Sequence, residues 1–128
     1  MRRRPIYAEV ANVVKKIKAL DREKRVQFVI LYGSVARGKY YKLSDIDIAV
    51  GHSGNRKQRF EFRIRVLSEI GDKFDVQTYQ DLPLYVKEEV LKGEVLYARD
   101  MMVANEVALK TIQDLGFYKP RFLDYIHR

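Results

Sequence analysis

Residues 26 to 50 constrain this chain most. The run Val26-Gln27-Phe28-Val29-Ile30-Leu31-Tyr32 is dense in β-branched and aromatic residues, as a strand buried on both faces must be. It breaks at Gly33-Ser34, and after ten residues Asp45-Ile46-Asp47 leads a second apolar run. The spacing predicts a second strand over 44–50. Asp45 and Asp47 then share one face of it, and Ile46, Ile48 and Val50 the other. Two carboxylates held that close raise each other's pKa unless something neutralises them. A hard divalent cation with oxygen ligands suits that role. Gly33 lets a phosphate approach the backbone. Ser34 is a good N-cap for a short helix ending at Gly38, and the N–H groups at its start favour an anion. A phosphate-binding turn facing a cation-binding carboxylate pair is equipment for nucleotide chemistry.

The flanking sequence supplies a scaffold. Ile6, Val10, Val13, Val14, Ile17 and Leu20 recur at helical spacing, with Lys15, Lys16 and Lys18 opposite, so 6–20 is an amphipathic helix. Gly51-His52-Ser53-Gly54 reads as a loop. A helix follows over 56–70, with Phe60, Ile64 and Leu67 and also Phe62, Val66 and Ile70 expected inside. Gly71 and Asp72 close it. Residues 74–79 (FDVQTY) read as a third strand carrying Asp75, Gln77 and Tyr79 on one face. A short helix runs from Pro83 to Lys92, and a fourth strand over 94–97. A last helix spans about 100–115, with a stripe of Met101, Ala104, Ala108, Thr111, Ile112 and Leu115. The alternation predicts an α/β (α+β) fold: a small mixed sheet of three to four strands flanked by helices. With 128 residues the chain fits one domain, with a core over about 10–98 and a C-terminal helix and aromatic tail over 99–128.

A third carboxylate strengthens the case for cation-assisted transfer. Asp75 lies on the next strand. If that strand neighbours the Asp45 strand, Asp75 reaches the same ion and helps deprotonate an incoming hydroxyl. Asp72 and Asp81 fall at element ends, where acids serve turns. Other nucleotide motifs are absent: there is no GxxxxGK[ST] and no GxGxxG after a strand. His52 and His127 stand alone, without zinc spacing. The net charge of +8 attracts polyanions, although the basic residues are dispersed as on an ordinary solvated surface. With no cysteine, disulfides and thiolate metal sites are excluded. Met1-Arg2-Arg3-Arg4 starts like a signal peptide, but Glu9, Asn12 and Lys15 interrupt any apolar segment. No stretch approaches the ~20 apolar residues of a membrane span. The expectation is a cytoplasmic protein.

The segment GSVARGKYYKLSDIDIAV resembles the signature of the DNA polymerase β-like nucleotidyltransferase superfamily: Gly-Ser, ten residues, Asp-x-Asp. It is most similar to the minimal nucleotidyltransferases, where GSxARG precedes SDID. FDVQTY resembles the strand bearing that family's third carboxylate, and EEVLKGEVLY the end of its short core. The resemblance implies that Asp45, Asp47 and Asp75 are catalytic and hold two Mg²⁺ ions. It implies that Gly33, Ser34 and Arg37 bind the nucleotide. It further implies transfer of AMP from ATP with release of pyrophosphate.

Beyond the core the chain has about one helix and a tail, so something else must supply the acceptor. In the minimal family the partner is a HEPN toxin, and the nucleotidyltransferase is its antitoxin, with some members AMPylating a toxin tyrosine. The resemblance therefore implies a protein adenylyltransferase in a toxin–antitoxin pair. Two alternatives stay open: an antitoxin acting by occlusion alone, and a nucleotidyltransferase acting on RNA ends. The aromatics Phe117, Tyr118, Phe122 and Tyr125 fit either a partner surface or the chain's own core.

Overall fold

The buried strand expected at 26–32 forms as β1 (Val26–Tyr32), an inner strand of a four-stranded sheet. The structure is a computed structural model and describes residues 5–36 and 45–116. Before β1 comes α1 (Pro5–Leu20), with proline at the first helical position, where its missing N–H costs nothing. Asp21 shapes the turn between them, accepting the Arg25 and Val26 backbone N–H groups at 2.8 and 2.9 Å. After β1 come α2 (Gly33–Ala36) and β2 (Ile46–His52). The helix α3 (Arg56–Ile70) follows, then β3 (Phe74–Thr78), a single 3-10 turn (Tyr79–Asp81) and α4 (Leu84–Leu91). The strand β4 (Glu94–Ala98) and α5 (Met101–Gly116) complete the order.

The sheet runs β3-β2-β1-β4. The strand β1 pairs antiparallel with β2 and with β4, whereas β2 and β3 are parallel. Parallel neighbours need a crossover, and α3 supplies it. Asn55 and Gln58 start α3 with a reciprocal capping box.

Helices cover both faces of the sheet. On one, Val10, Val13 and Ile17 of α1 and Phe62 and Val66 of α3 pack on Val29, Leu31, Ile46, Ile48, Val50 and Val76. On the other, Phe28, Ile30, Tyr32, Ala49, Tyr79 and Val90 form a smaller core, with Ala104 and Val107 of α5 against it. This double cover is why β1 reads as one apolar run.

Four expectations are corrected. Gly51 and His52 belong to β2, and both are buried. A Cβ on Gly51 would lie 2.3 Å from the Phe28 ring, so this glycine marks close packing inside a strand, not a loop. On α3, Phe62 and Val66 are buried, but Phe60 and Ile64 are 59% and 47% exposed. The two apolar sets lie two residues apart, roughly 200° around the helix, and one helix cannot turn both toward the sheet. Tyr79 leaves β3 and starts the 3-10 turn, its ring edge-on to Phe28. On α5, Met101 and Ile112 face outward, while Thr111 is buried. Gly38 and the aromatic tail lie outside the described residues.

Candidate active site

Sheet register assembles the site. Tyr32, the last residue of β1, pairs with Asp47 of β2, and Asp47 pairs with Asp75 of β3. The three form a row across adjacent strands, about 4.8 Å apart from strand to strand. They stand on the face that α4 and α5 cover farther along. Ile46 and Ile48, on the other side, are fully buried under α1 and α3, which pins the face that Asp47 must take.

Gly33 borders this row. Its φ of +79° suits glycine, and a Cβ there would lie 2.3 Å from Asp47 Oδ2. The backbone therefore runs directly against the Asp47 carboxylate as the chain turns into α2. Ser34 is the second residue of α2, and Arg37 lies outside the described residues. Asp45 is exposed, immediately before β2. A recess of about 190 Å³ between α2 and α4 flanks the turn, lined by Gly33, Ala36, Glu89, Lys92 and Gly93.

The electrostatics follow from the row. Tyr32 is 8% exposed. Burial pushes its hydroxyl up to about 12, and the charges of Asp47 and Asp75 push the same way. Tyr32 therefore stays neutral beside the pair at physiological pH. Asp75 accepts a 3.0 Å hydrogen bond from Gln77 Nε2.

The donor set suits a hard cation. Among the described residues no three His, Cys, Asp or Glu side chains form a metal-holding group. Mg²⁺ needs no full protein cage. One or two carboxylates, water and substrate phosphates commonly satisfy it, and Asp47 and Asp75 are such a pair. A larger recess, about 430 Å³ and lined by Arg25, His52, Phe62 and Arg65 among others, lies at the opposite end of β1. Its size does not make it the reaction site, because it holds neither Gly33 nor the carboxylate pair.

The model of the family described as polymerase beta, nucleotidyltransferase matches residues 15–102. The chain belongs to that family. The matched region contains the whole sheet and Gly33, Ser34, Arg37, Asp45, Asp47 and Asp75. A protein of Methanocaldococcus jannaschii named as a protein adenylyltransferase is 35% identical over 79 residues. That alignment covers 61% of this chain and 60% of the relative, so the chain spans about three-fifths of that relative's length.

Solved structures agree on the nucleotidyltransferase fold. A chain from a toxin–antitoxin complex with AMP-PNP gives a TM-score of 0.65 at 23% identity, over 92% of this chain and 98% of that one. A tri-AMPylated HEPN toxin of Shewanella oneidensis in complex with an MNT antitoxin contributes a chain at TM-score 0.58 and 23% identity. It covers 94% of this chain and 99% of that one. A Sulfolobus solfataricus protein named as a nucleotidyltransferase gives 0.52 at 24% identity, over 72% and 79% of the two chains.

Sequence reasoning gave Asp47, Asp75 and Gly33 a common site, and register brings them together. It missed Tyr32, and it placed Gln77 on the Asp75 face without giving it a role. For Gln77 the period-2 spacing from Asp75 was a usable signal. Tyr32 had none, because its place depends on how β1 registers against β2.

Proposed function

We propose that this protein is a Mg²⁺-dependent nucleotidyltransferase that moves AMP from ATP to a hydroxyl on a partner protein, and that it serves as the antitoxin of a HEPN toxin. One observation carries the reading: Asp47 and Asp75 stand in register on parallel strands, with the Gly33 backbone against Asp47. The adenylyltransferase name of the Methanocaldococcus relative and the toxin–antitoxin complexes among the structural neighbours support the nucleotide and the partner.

Asp45, Asp47 and Asp75 are the proposed cation ligands, for two ions once nucleotide is bound. Gly33, Ser34 and Arg37 are the proposed nucleotide contacts. Bound Mg²⁺ supplies charge neutralisation for the triphosphate and the departing pyrophosphate. Gly33 leaves room for phosphate beside the carboxylates. The acceptor oxygen attacks the α-phosphorus, forming an O–P bond as the α–β bridging bond breaks. Asp75 takes the hydroxyl proton. Tyr32, neutral and buried, limits water behind the pair without adding a third negative charge.

The test is to incubate the protein with labelled ATP, Mg²⁺ and a HEPN partner, then weigh the partner. Added AMP units are expected. Asp47→Asn or Asp75→Asn should each lower the rate by roughly a hundredfold or more, since even residues behind a metal ligand cost 10–100-fold. An unmodified but neutralised partner would favour occlusion, and label on RNA alone would move the acceptor to nucleic acid.

A further inference from the structure

The proposed reaction uses Asp75 but does not explain what holds it. Asp75 sits on β3, an edge strand, so among the described residues no further strand packs beside it to lock its rotamer. Gln77 lies two residues on, on the same face, and its Nε2 donates to Asp75 Oδ1 at 3.0 Å. The direction of that bond is fixed by chemistry, because an ionised carboxylate only accepts. Ala49 is the β2 register partner of Gln77. Its single methyl leaves the Gln77 side chain room to lie along the strand toward Asp75.

The donor is neutral. Arg63 approaches the same strand from α3, but its Nε donates to the Val76 carbonyl at 2.6 Å. Asp75 is thus oriented by an amide that brings no positive charge beside it. An arginine or lysine in that role would orient it equally well and neutralise what a cation needs.

We propose that Gln77 is a positioning residue: its amide fixes the Asp75 carboxylate so that one oxygen is committed to Gln77 and the other is presented beside Asp47 to a divalent cation. This rests on the nucleotidyltransferase reading and deepens it.

Direct Mn²⁺ binding to the whole chain, followed by calorimetry or water-proton relaxation, tests the role without catalysis. Gln77→Met keeps length and volume but removes the donor. Its Mn²⁺ affinity is expected to fall roughly 10–100-fold, the usual cost of losing a group that orients a metal ligand, with an unfolding midpoint close to native. Gln77→Ala serves the same purpose without relying on how the Met side chain packs. Gln77→Lys keeps a donor but adds a charge, and should bind Mn²⁺ more weakly still. Native Mn²⁺ affinity in both the Met and Ala variants would overturn the role of Gln77 while leaving the site reading intact. A native protein that neither binds Mn²⁺ nor transfers AMP would overturn both.

Discussion

Gly33 shows how much one position can decide. Two independent constraints meet there: a left-handed backbone, with φ of +79°, and an Asp47 oxygen where a Cβ would go. For a non-glycine residue the backbone alone costs about 1–2 kcal/mol. The clash then falls on the Asp47 carboxylate, which must rotate out of the row to make room for the Cβ. Gly33→Ala is therefore expected to destabilise by at least ~2 kcal/mol. It should also lose AMP transfer under conditions where the variant is still folded. Urea unfolding and a transfer assay on one sample separate the two effects. A folded, fully active Gly33→Ala would show that the carboxylate does not need the glycine backbone beside it. The sequence made Gly33 conspicuous as a turn before a helix. Its second task, leaving space for Asp47, depends on the β1–β2 register and could not be read locally.

At the scale of elements, α5 is held by few buried side chains. Thr111 is its buried residue, while Met101, Met102 and Leu109 are more than half exposed. Its anchor is a hydrogen-bond relay. Thr111 Oγ1 lies 2.5 Å from the Tyr79 hydroxyl in a hydroxyl–hydroxyl hydrogen bond and 3.2 Å from the Val107 carbonyl. Tyr79→Phe keeps the ring against Phe28 and removes only that bond, a loss of about 1 kcal/mol. Native-state hydrogen exchange should show α5 amides less protected than those of β1 and β2. In Tyr79→Phe, α5 exchange should quicken about fivefold, the equivalent of that energy at 25 °C, with β1 unchanged. Equal protection throughout, or equal loss in β1, would mean that α5 unfolds only with the sheet. The same element shows the limit of periodicity. Helical spacing located α5, but Met101 and Ile112 suit its pattern as well as Thr111 does. The Tyr79 ring, delivered by a 3-10 turn after β3, and the apolar surface on which Ala104 and Val107 pack together select the face that docks. On α3, likewise, spacing offered two apolar stripes, and the sheet could take one.

At the scale of the whole molecule, most of each strand was legible because β1 and β2 are apolar runs buried on both faces, with Asp47 the one acid inside β2. Position of charge in the rest of the fold was not, and it governs acid stability. His52 is 3% exposed and accepts the Gly54 N–H through Nδ1 at 3.0 Å. Burial holds its pKa below the ordinary 6.5; Asp21 and Glu23 oppose the shift, and Arg25 and Arg59 add to it. Asp81 is held below its ordinary 3.8 chiefly by Arg59, which donates to it through Nε and Nη2 at 2.9 and 2.7 Å and ties α3 to the turn after β3. Both shifts are downward, so both groups bind protons more readily unfolded than folded, and stability falls as pH falls. The windows differ. The His52 contribution is whole above pH 6.5 and drains as pH drops toward its folded value. The Asp81 contribution is whole above pH 3.8 and drains below it. Urea unfolding across the acid range should therefore show two separate declines. His52→Asn, whose side-chain oxygen can still accept from Gly54, should erase the first and leave the second. Asp81→Asn should do the reverse. A single decline near pH 4, unaltered by His52→Asn, would mean that the imidazole is as easily protonated in the fold as in the unfolded chain, and that the buried end of β2 is open to water.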